Sequence, residues 1–342
     1  MCSRACCAAG RTRSRDMVRT PAIGGLAAFV GIAMVLVGCF QAHSVSTSRA
    51  PRAAAANPTD LRAPGAEDAA KATAAPAPQE LPRGGRTLFP EYRLVGFCGT
   101  PGAPALGALQ GNLPAIAKTL QARGAEYAHD RKLLPVFELI AVVVQGSPGR
   151  DGKYRRRVDS AVVREYLRAA RQVGALLLLN IQPGQSDFVT EVKYFEEYLR
   201  EPDVGVALDP EWAMKGKERP GVFFGRTSGE TLNEVAAYLS TLITQNDLPE
   251  KALVFHEVNR GVLKDESQLK AFPGVVFIKS VDGLGPVHAK IATYRNLMET
   301  LGPGVHPGFK LFFDEDRRNG GRLMTPKEVL ALSPPPEYVM YE

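Results

Sequence analysis

Cysteine and histidine are scarce in this chain of 342 residues, and their positions exclude two kinds of site. Four of the five cysteines lie within residues 1–39, so Cys98 is the only thiol in the rest of the chain and no disulfide is expected there. The five histidines show neither H-x-x-x-H nor H-E-x-x-H spacing. We therefore expect no zinc site and no cofactor, although a Ca²⁺ or Mg²⁺ ion held by carboxylates alone stays open.

The N-terminal region has few large apolar side chains outside one uncharged segment, residues 21–38, which follows a group of arginines. This order is typical of a secretory signal. Leu36-Val37-Gly38-Cys39 resembles a bacterial lipobox, which implies cleavage before Cys39 and a lipid on its thiol. The protein would then be exported and anchored on the outer side of the cytoplasmic membrane. A plain transmembrane anchor is the alternative, since the run is close to the roughly 17 residues that a span needs. Met17 is an alternative start.

Residues 39–87 are rich in alanine, proline, serine and threonine, a composition too poor in apolar surface to fold, so we predict a flexible tether. The positive net charge belongs to this tail. Residues 1–39 carry five arginines and one aspartate, residues 40–87 carry six basic and four acidic groups, and residues 88–342 carry 31 of each sign. Residues 88–342 thus have no excess of positive charge that would attract nucleic acid, so we expect no such partner.

Residues 88–342 have the usual size of a (β/α)₈ barrel and alternate apolar runs of strand length with segments of helical spacing. The helices have recognisable starts at Asn112, Asp159, Thr227 and Thr325. An open doubly wound sheet fits the same alternation, but no G-x-G-x-x-G follows the first strand. We predict a TIM-type barrel without its last helix, closed by pairing of the first and eighth strands. The predicted strands are Leu94–Gly99, Pro135–Val144, Ala175–Ile181, Val204–Asp209, Ala252–His256, Val275–Val281, Phe309–Phe313 and Tyr338–Tyr341.

Barrel enzymes carry their chemistry where strands end, at the C-terminal face. The fourth strand ends in Asp209, Pro210, Glu211 and Trp212. Strand side chains alternate, which predicts that Asp209 and Glu211 point to one side, with Trp212 as a stacking surface. Paired carboxylates serve glycoside hydrolysis, because one donates a proton while the other stays ionised. Other polar residues at or near strand ends are candidate substrate contacts: Asn180, Gln182, His256, Lys279 and Glu138.

The D-x-E at this strand end resembles glycoside hydrolase family 18 chitinases and family 25 lysozymes, which are barrels with a catalytic glutamate there. Against the chitinase pattern D-G-x-D-x-D-x-E, Gly205, Asp209 and Glu211 agree, whereas Val204 and Ala207 stand where aspartate is expected. The resemblance implies that Glu211 is the acid and Asp209 its partner.

Each candidate residue also has a structural interpretation. Asp209 and Glu211 alternatively neutralise Lys279 or Lys310, and Glu138 alternatively forms a salt bridge with one of the same lysines inside the barrel. His256 alternatively packs as a hydrogen-bonded residue. Asp314 is placed to be the second catalytic carboxylate, although its acidic and basic run is also typical of a solvated loop.

Two functions therefore remain. The first is a membrane-anchored hydrolase acting on a glycan of the cell envelope or outside it. The second is a non-catalytic lipoprotein that binds carbohydrate or another envelope ligand. A phosphodiesterase is disfavoured because no histidine follows the first strand.

Overall fold

The computed structural model describes residues 79–342 and confirms the predicted barrel. Eight parallel strands form one closed sheet in sequence order, with the last strand hydrogen-bonded to the first. The barrel strands are β1 (Tyr92–Gly99), β2 (Lys132–Val144), β3 (Leu176–Ile181), β4 (Val204–Leu208), β5 (Lys251–Glu257), β6 (Val275–Val281), β7 (Val305–Leu311) and β8 (Tyr338–Tyr341).

Closure takes place through the short strand β8, as the sequence predicts. Its four residues pair with β1, from Leu94 opposite Tyr338 to Phe97 opposite Tyr341. The same residues pair with β7 on the other side, and β1 also pairs with β2. Every barrel strand is therefore hydrogen-bonded on both edges.

The helices lie outside the barrel between consecutive strands. They are α1 (Leu113–Ala125), α2 (Ser160–Gln172), α3 (Phe188–Tyr194), α4 (Glu196–Leu199), α5 (Gly229–Asn246), α6 (Val287–Met298) and α7 (Pro326–Leu330). The link from β5 to β6 contains a two-residue strand, Leu263–Lys264, and a 3₁₀ turn, Glu266–Gln268, instead of an α-helix. Two further short strands, Arg155–Arg157 and Thr227–Ser228, lie in the β2–β3 and β4–α5 links.

Helix caps explain where several of these helices begin. The Asn112 side chain accepts a hydrogen bond from the Ala115 amide, and Thr325 forms a complete capping box with Glu328. Asp159 occupies the cap position of α2 without a side-chain cap bond. For α5 the capping side chain is that of Ser228, one residue after the predicted Thr227.

The sheet separates two apolar cores. One lies between the helices and the outer face of the barrel. The other fills the barrel interior with alternate strand residues, for example Leu134 and Val136 of β2 and Leu176 and Leu178 of β3. This alternation, which follows from the pleat, determines which side chains reach the barrel axis.

Residues 79–91 close the N-terminal end of the barrel, which differs from the predicted domain start at residue 88. Leu81 and Leu88 are buried in the interior core, and Arg83 donates hydrogen bonds to the backbone oxygens of Leu133 and Gly174. The predicted signal segment, Cys39 and the tether up to residue 78 lie outside the described residues. From residue 79 onward, no helix is both long and apolar enough to cross a membrane.

Candidate active site

The inner face of the barrel changes from apolar to polar toward its C-terminal end. On β2 the interior residue Val136 is followed by Glu138. On β3 Leu178 is followed by Asn180, and on β5 Val254 by His256. The same alternation that builds the core therefore places these polar side chains on the barrel axis.

Glu138 and His256 form the centre of this polar layer. Glu138 Oε1 lies 3.2 Å from His256 Nε2 and accepts a 2.9 Å hydrogen bond from Asn180 Nδ2. Its other oxygen accepts a hydrogen bond from the Tyr338 hydroxyl. On the far side of the imidazole, His256 Nδ1 lies 3.0 Å from Asp282 Oδ1. The imidazole is thus held between two carboxylates in a solvent-free site.

A second pair of ionic contacts extends the layer across the barrel. Lys310 Nζ lies 3.1 Å from Asp282 Oδ2 and 2.6 Å from Glu342 Oε2. The Ser280 hydroxyl also donates to Asp282, at 3.0 Å. Carboxylates and cations therefore alternate from Glu138 to Glu342, so that each buried charge lies next to a charge of the opposite sign. Buried charges need such partners to offset the loss of hydration.

The pKa shifts in this network follow from burial and from neighbouring charges. Burial alone would lower the pKa of His256, but Asp282 and Glu138 outweigh it and raise that pKa well above its ordinary value. Burial would raise the pKa of Glu138, but the His256 cation lowers it. In the same way His256 and Lys310 lower the pKa of Asp282 against its burial. At neutral pH the layer therefore contains imidazolium and carboxylates.

Asp209 follows β4 and is oriented by amide side chains from β3. Asn180 Nδ2 donates to Asp209 Oδ1 at 3.0 Å, and Gln182 Nε2 donates to Asp209 Oδ2 at 3.0 Å. The amide of Gln182 is fixed in turn, because its oxygen accepts from the Val144 backbone at 3.1 Å. His256 Nε2 lies 3.9 Å from Asp209 Oδ1. Two donors and a nearby cation thus favour the ionised form of Asp209.

Glu211 reaches the same region from a 3₁₀ turn, Pro210–Trp212, because β4 ends at Leu208. The turn is tied down where the Gly225 amide donates to the Glu211 backbone oxygen at 2.6 Å. Within the described chain, Glu211 Oε2 is buried without a hydrogen-bond partner. Burial, together with the charges of Asp209 and Asp282, raises the pKa of Glu211 well above its ordinary value.

Asp209 and Glu211 differ in how strongly their surroundings favour the proton. Burial also raises the pKa of Asp209, but the cations of His256 and Lys310 act against this shift. For Glu211, burial and the neighbouring carboxylates act in the same direction. The surroundings therefore favour a proton more strongly on Glu211 than on Asp209.

Two predicted site residues lie apart from the polar layer. Lys279 points outward from β6, since Ser280, its neighbour, faces inward opposite His256. Its ammonium contacts Glu257 and Glu266, each at 2.7 Å, where the link between β5 and β6 has no helix. Asp314 is exposed at the start of a 3₁₀ turn. The carboxylates that contact Lys310 of β7 in the polar layer are Asp282 and Glu342.

Trp212 is half-buried beside Glu211. The structure also brings in residues that sequence reasoning missed, namely Tyr338 and Glu342 of the last strand region, and it gives Lys310 and Asp282 partners within the layer. The signal for these residues was available in the alternation of β7 and β8, in which Lys310, Tyr338 and Glu342 occupy inward positions.

Both carboxylates of the D-P-E segment are shielded from solvent. Asp209 is 4% exposed and Glu211 is 8% exposed.

Among residues 79–342 no cluster of histidine, cysteine, aspartate and glutamate has an arrangement suited to a metal ion. The chain matches no protein-family model and no curated protein.

Proposed function

We propose that this protein is a membrane-anchored glycoside hydrolase that acts on a glycan of the cell envelope or outside it. The buried carboxyl of Glu211 carries the proposal, because burial and the charge of the neighbouring Asp209 raise its pKa well above the ordinary value at the C-terminal end of a (β/α)₈ barrel. Hydrolysis of a glycosidic bond needs such an acid to protonate the leaving oxygen.

The remaining polar layer supports this division of roles. Asn180 and Gln182 hold Asp209 in one orientation, so that its charge faces the positive charge that develops on a sugar ring in the transition state. His256 and Lys310 balance the charges of Glu138, Asp282 and Glu342 deeper in the barrel. Trp212 is the candidate stacking surface for a sugar ring beside the acid.

The cellular location is part of the proposal as well. Cys39 follows an uncharged segment in a lipobox-like sequence, so we infer a lipid-anchored protein outside the cytoplasmic membrane. A polysaccharide or another glycan is the substrate class accessible there. The partners we infer are this glycan ligand and the membrane that holds the lipid.

A non-catalytic carbohydrate- or envelope-binding lipoprotein is the second candidate. The observation that favours it is the burial of Asp209 and Glu211, since a sugar reaches them only after the residues over the mouth move. Both candidates predict binding of a glycan, but only the first predicts turnover.

Replacement of Glu211 tests catalysis directly. We expect Glu211→Gln to reduce hydrolysis of a responsive glycan by about 10²–10⁴-fold while folding and glycan binding are kept, because the exchange removes the proton and little else. Wild-type activity should also fall as the pH rises through the raised pKa of Glu211, since the deprotonated form cannot act as the acid.

The matched control is Glu230→Gln, the same exchange at an exposed carboxylate in the first turn of α5, which should leave turnover unchanged. Turnover is measured by reducing-end release from a panel of envelope polysaccharides, and binding by calorimetry. Wild-type turnover in Glu211→Gln would contradict the assignment of the acid. Binding without turnover in the wild type would favour the second candidate.

A further inference from the structure

The loop between Glu211 and α5 carries an exposed apolar tip. Val222, Phe223 and Phe224 are 69%, 56% and 48% exposed. A tip of this kind on a protein surface is typical of a contact with a partner or a membrane. Neither the polar layer nor the proposed acid makes use of these three residues.

Both ends of this loop are fixed at the C-terminal end of the barrel. Before the tip, the Met214 amide donates to the Gly184 oxygen at 2.8 Å. After it, the Gly225 amide donates to the Glu211 backbone oxygen at 2.6 Å, and the Arg226 amide donates to the Ala213 backbone oxygen at 3.0 Å. The tip therefore projects from the same end of the barrel as the candidate acid.

Exposed positive charges lie in the same loop as the tip and in a neighbouring loop. Three of them, Lys215, Lys217 and Arg219, are exposed in the same loop. The neighbouring β2–β3 loop adds exposed Arg150 and Arg156. Across the described chain, these five side chains make no hydrogen bond or ion pair, unlike Arg226, which pairs with Glu218 at 2.9 Å.

The two loops form one surface. Gln185, in the turn between them, donates from its amide to the Lys153 oxygen at 2.7 Å and from its side chain to the Glu218 oxygen at 2.8 Å. We call this surface the basic rim: the apolar tip Val222–Phe224 with Lys215, Lys217, Arg219, Arg150 and Arg156.

We propose that the basic rim docks on an anionic lipid bilayer. Aromatic and aliphatic side chains enter the region between headgroups and acyl chains, and lysine and arginine beside them contact anionic headgroups. The rim combines both features, whereas a neutral glycan would stack on the aromatic rings and leave five unpaired cations unexplained. Charge complementarity therefore favours the lipid surface over a neutral sugar chain.

The length of the chain permits this orientation. Gln79 lies at the opposite end of the barrel, where its side chain donates to the Asn246 oxygen at 3.0 Å. The 39 residues between Cys39 and Gln79 span at most about 130 Å. Strand β1, with eight residues, is only about 26 Å long. A lipid on Cys39, which belongs to the function proposed above, therefore allows the rim to meet the same membrane, with the mouth facing the headgroups.

Tryptophan fluorescence tests the docking, because the chain has a single tryptophan, Trp212. The full chain carrying Trp212→Phe and Phe223→Trp is mixed with, or reconstituted in, vesicles that contain brominated lipids. We expect loss of emission and a shift to shorter wavelength with anionic phosphatidylglycerol present, and neither change in pure phosphatidylcholine. The matched control is Trp212→Phe with His129→Trp, since His129 is exposed between α1 and β2, at the N-terminal end of the barrel and away from the rim.

Charge reversal provides the second arm of the experiment. Lys215→Glu with Lys217→Glu should weaken the docking by about fivefold for each cation, and high salt should have the same effect. These two side chains have no partner within the described residues, so the protein should still fold. Quenching that is equal at positions 223 and 129, or absent from anionic vesicles, would overturn the proposal. Protection of position 223 by a soluble polysaccharide, with no effect of lipid, would assign the rim to glycan binding instead.

Discussion

A single imidazole balances the charges of the polar layer. His256 lies between Glu138 and Asp282, and all three side chains are shielded from water. Removing one member of such a buried group leaves the others without an opposite charge, which costs about 3–5 kcal/mol in other proteins. The free energy of unfolding should therefore depend on this residue and on its protonation.

We predict that His256→Gln destabilises the protein most at low pH. The folded-state pKa of His256 is raised, so its contribution is complete below the unfolded-state value of about 6.5 and is lost as the pH rises through the folded-state value. The loss in unfolding free energy should be about 3–5 kcal/mol near pH 5 and should shrink at high pH. Urea denaturation over a pH series measures it.

The control for this series is His288→Gln, at an exposed position of α6, which should change the unfolding free energy little at any pH. A difference between wild type and His256→Gln that grows with pH would mean that the imidazole is neutral in the folded protein. The charge alternation across the barrel would then need another cation.

Residue type alone did not decide which polar residues share the site. Lys279 and Lys310 both lie on strands near the C-terminal end, but Lys279 points outward to Glu257 and Glu266 whereas Lys310 points inward to Asp282. Alternation distinguishes them once the inward neighbours Ile278 and Ser280 are known. Asp314 is different, because it lies beyond the end of β7, where no pleat determines the direction of a side chain.

At the scale of elements, the strands were more predictable than the turns that follow them. The sixth and eighth strands have the predicted bounds, because continuous apolar runs are typical of strands buried on both faces. Glu211, by contrast, was expected on the same side as Asp209 through strand alternation. It reaches that region through a 3₁₀ turn that begins at Pro210, and no periodicity in the sequence encodes this turn.

At the closing seam, β1 lies between β8 and β2 and leaves no room for a further methyl group. A Cβ atom on Gly96 would lie 2.6 Å from the Met340 methyl group and 2.6 Å from the Val136 backbone oxygen. We predict that Gly96→Ala lowers the unfolding free energy by about 1–3 kcal/mol, since overpacking displaces neighbours at the closing seam. Gly146→Ala, where no atom lies within 4 Å of the added carbon, should change it little. Equal thermal midpoints of the two variants would contradict the tight closure.

At the scale of the whole molecule, repetition of strand and helix in the sequence indicated the barrel, which the structure confirms. The residue at which the barrel domain begins was harder to predict from the sequence. Residues 79–87 share the polar, proline-containing composition of the predicted tether, yet Leu81 and Arg83 pack against the N-terminal end of the barrel. A few apolar contacts with a distant part of the chain decide their placement, and a local composition window does not detect such contacts.

The predicted membrane anchor depends on Cys39, and this leads to a prediction about the whole chain in the cell. We expect a fatty-acid analogue to label the wild type and not Cys39→Ala, because the lipobox-like segment offers this thiol alone for the lipid. The variant should still be exported, with residues 21–38 retained in its mass. Cys98→Ala is the control, since Cys98 is buried inside the barrel and its loss should leave labelling intact. Equal labelling of wild type and Cys39→Ala would refute the lipid anchor, and the uncharged segment would then be assigned as a transmembrane anchor.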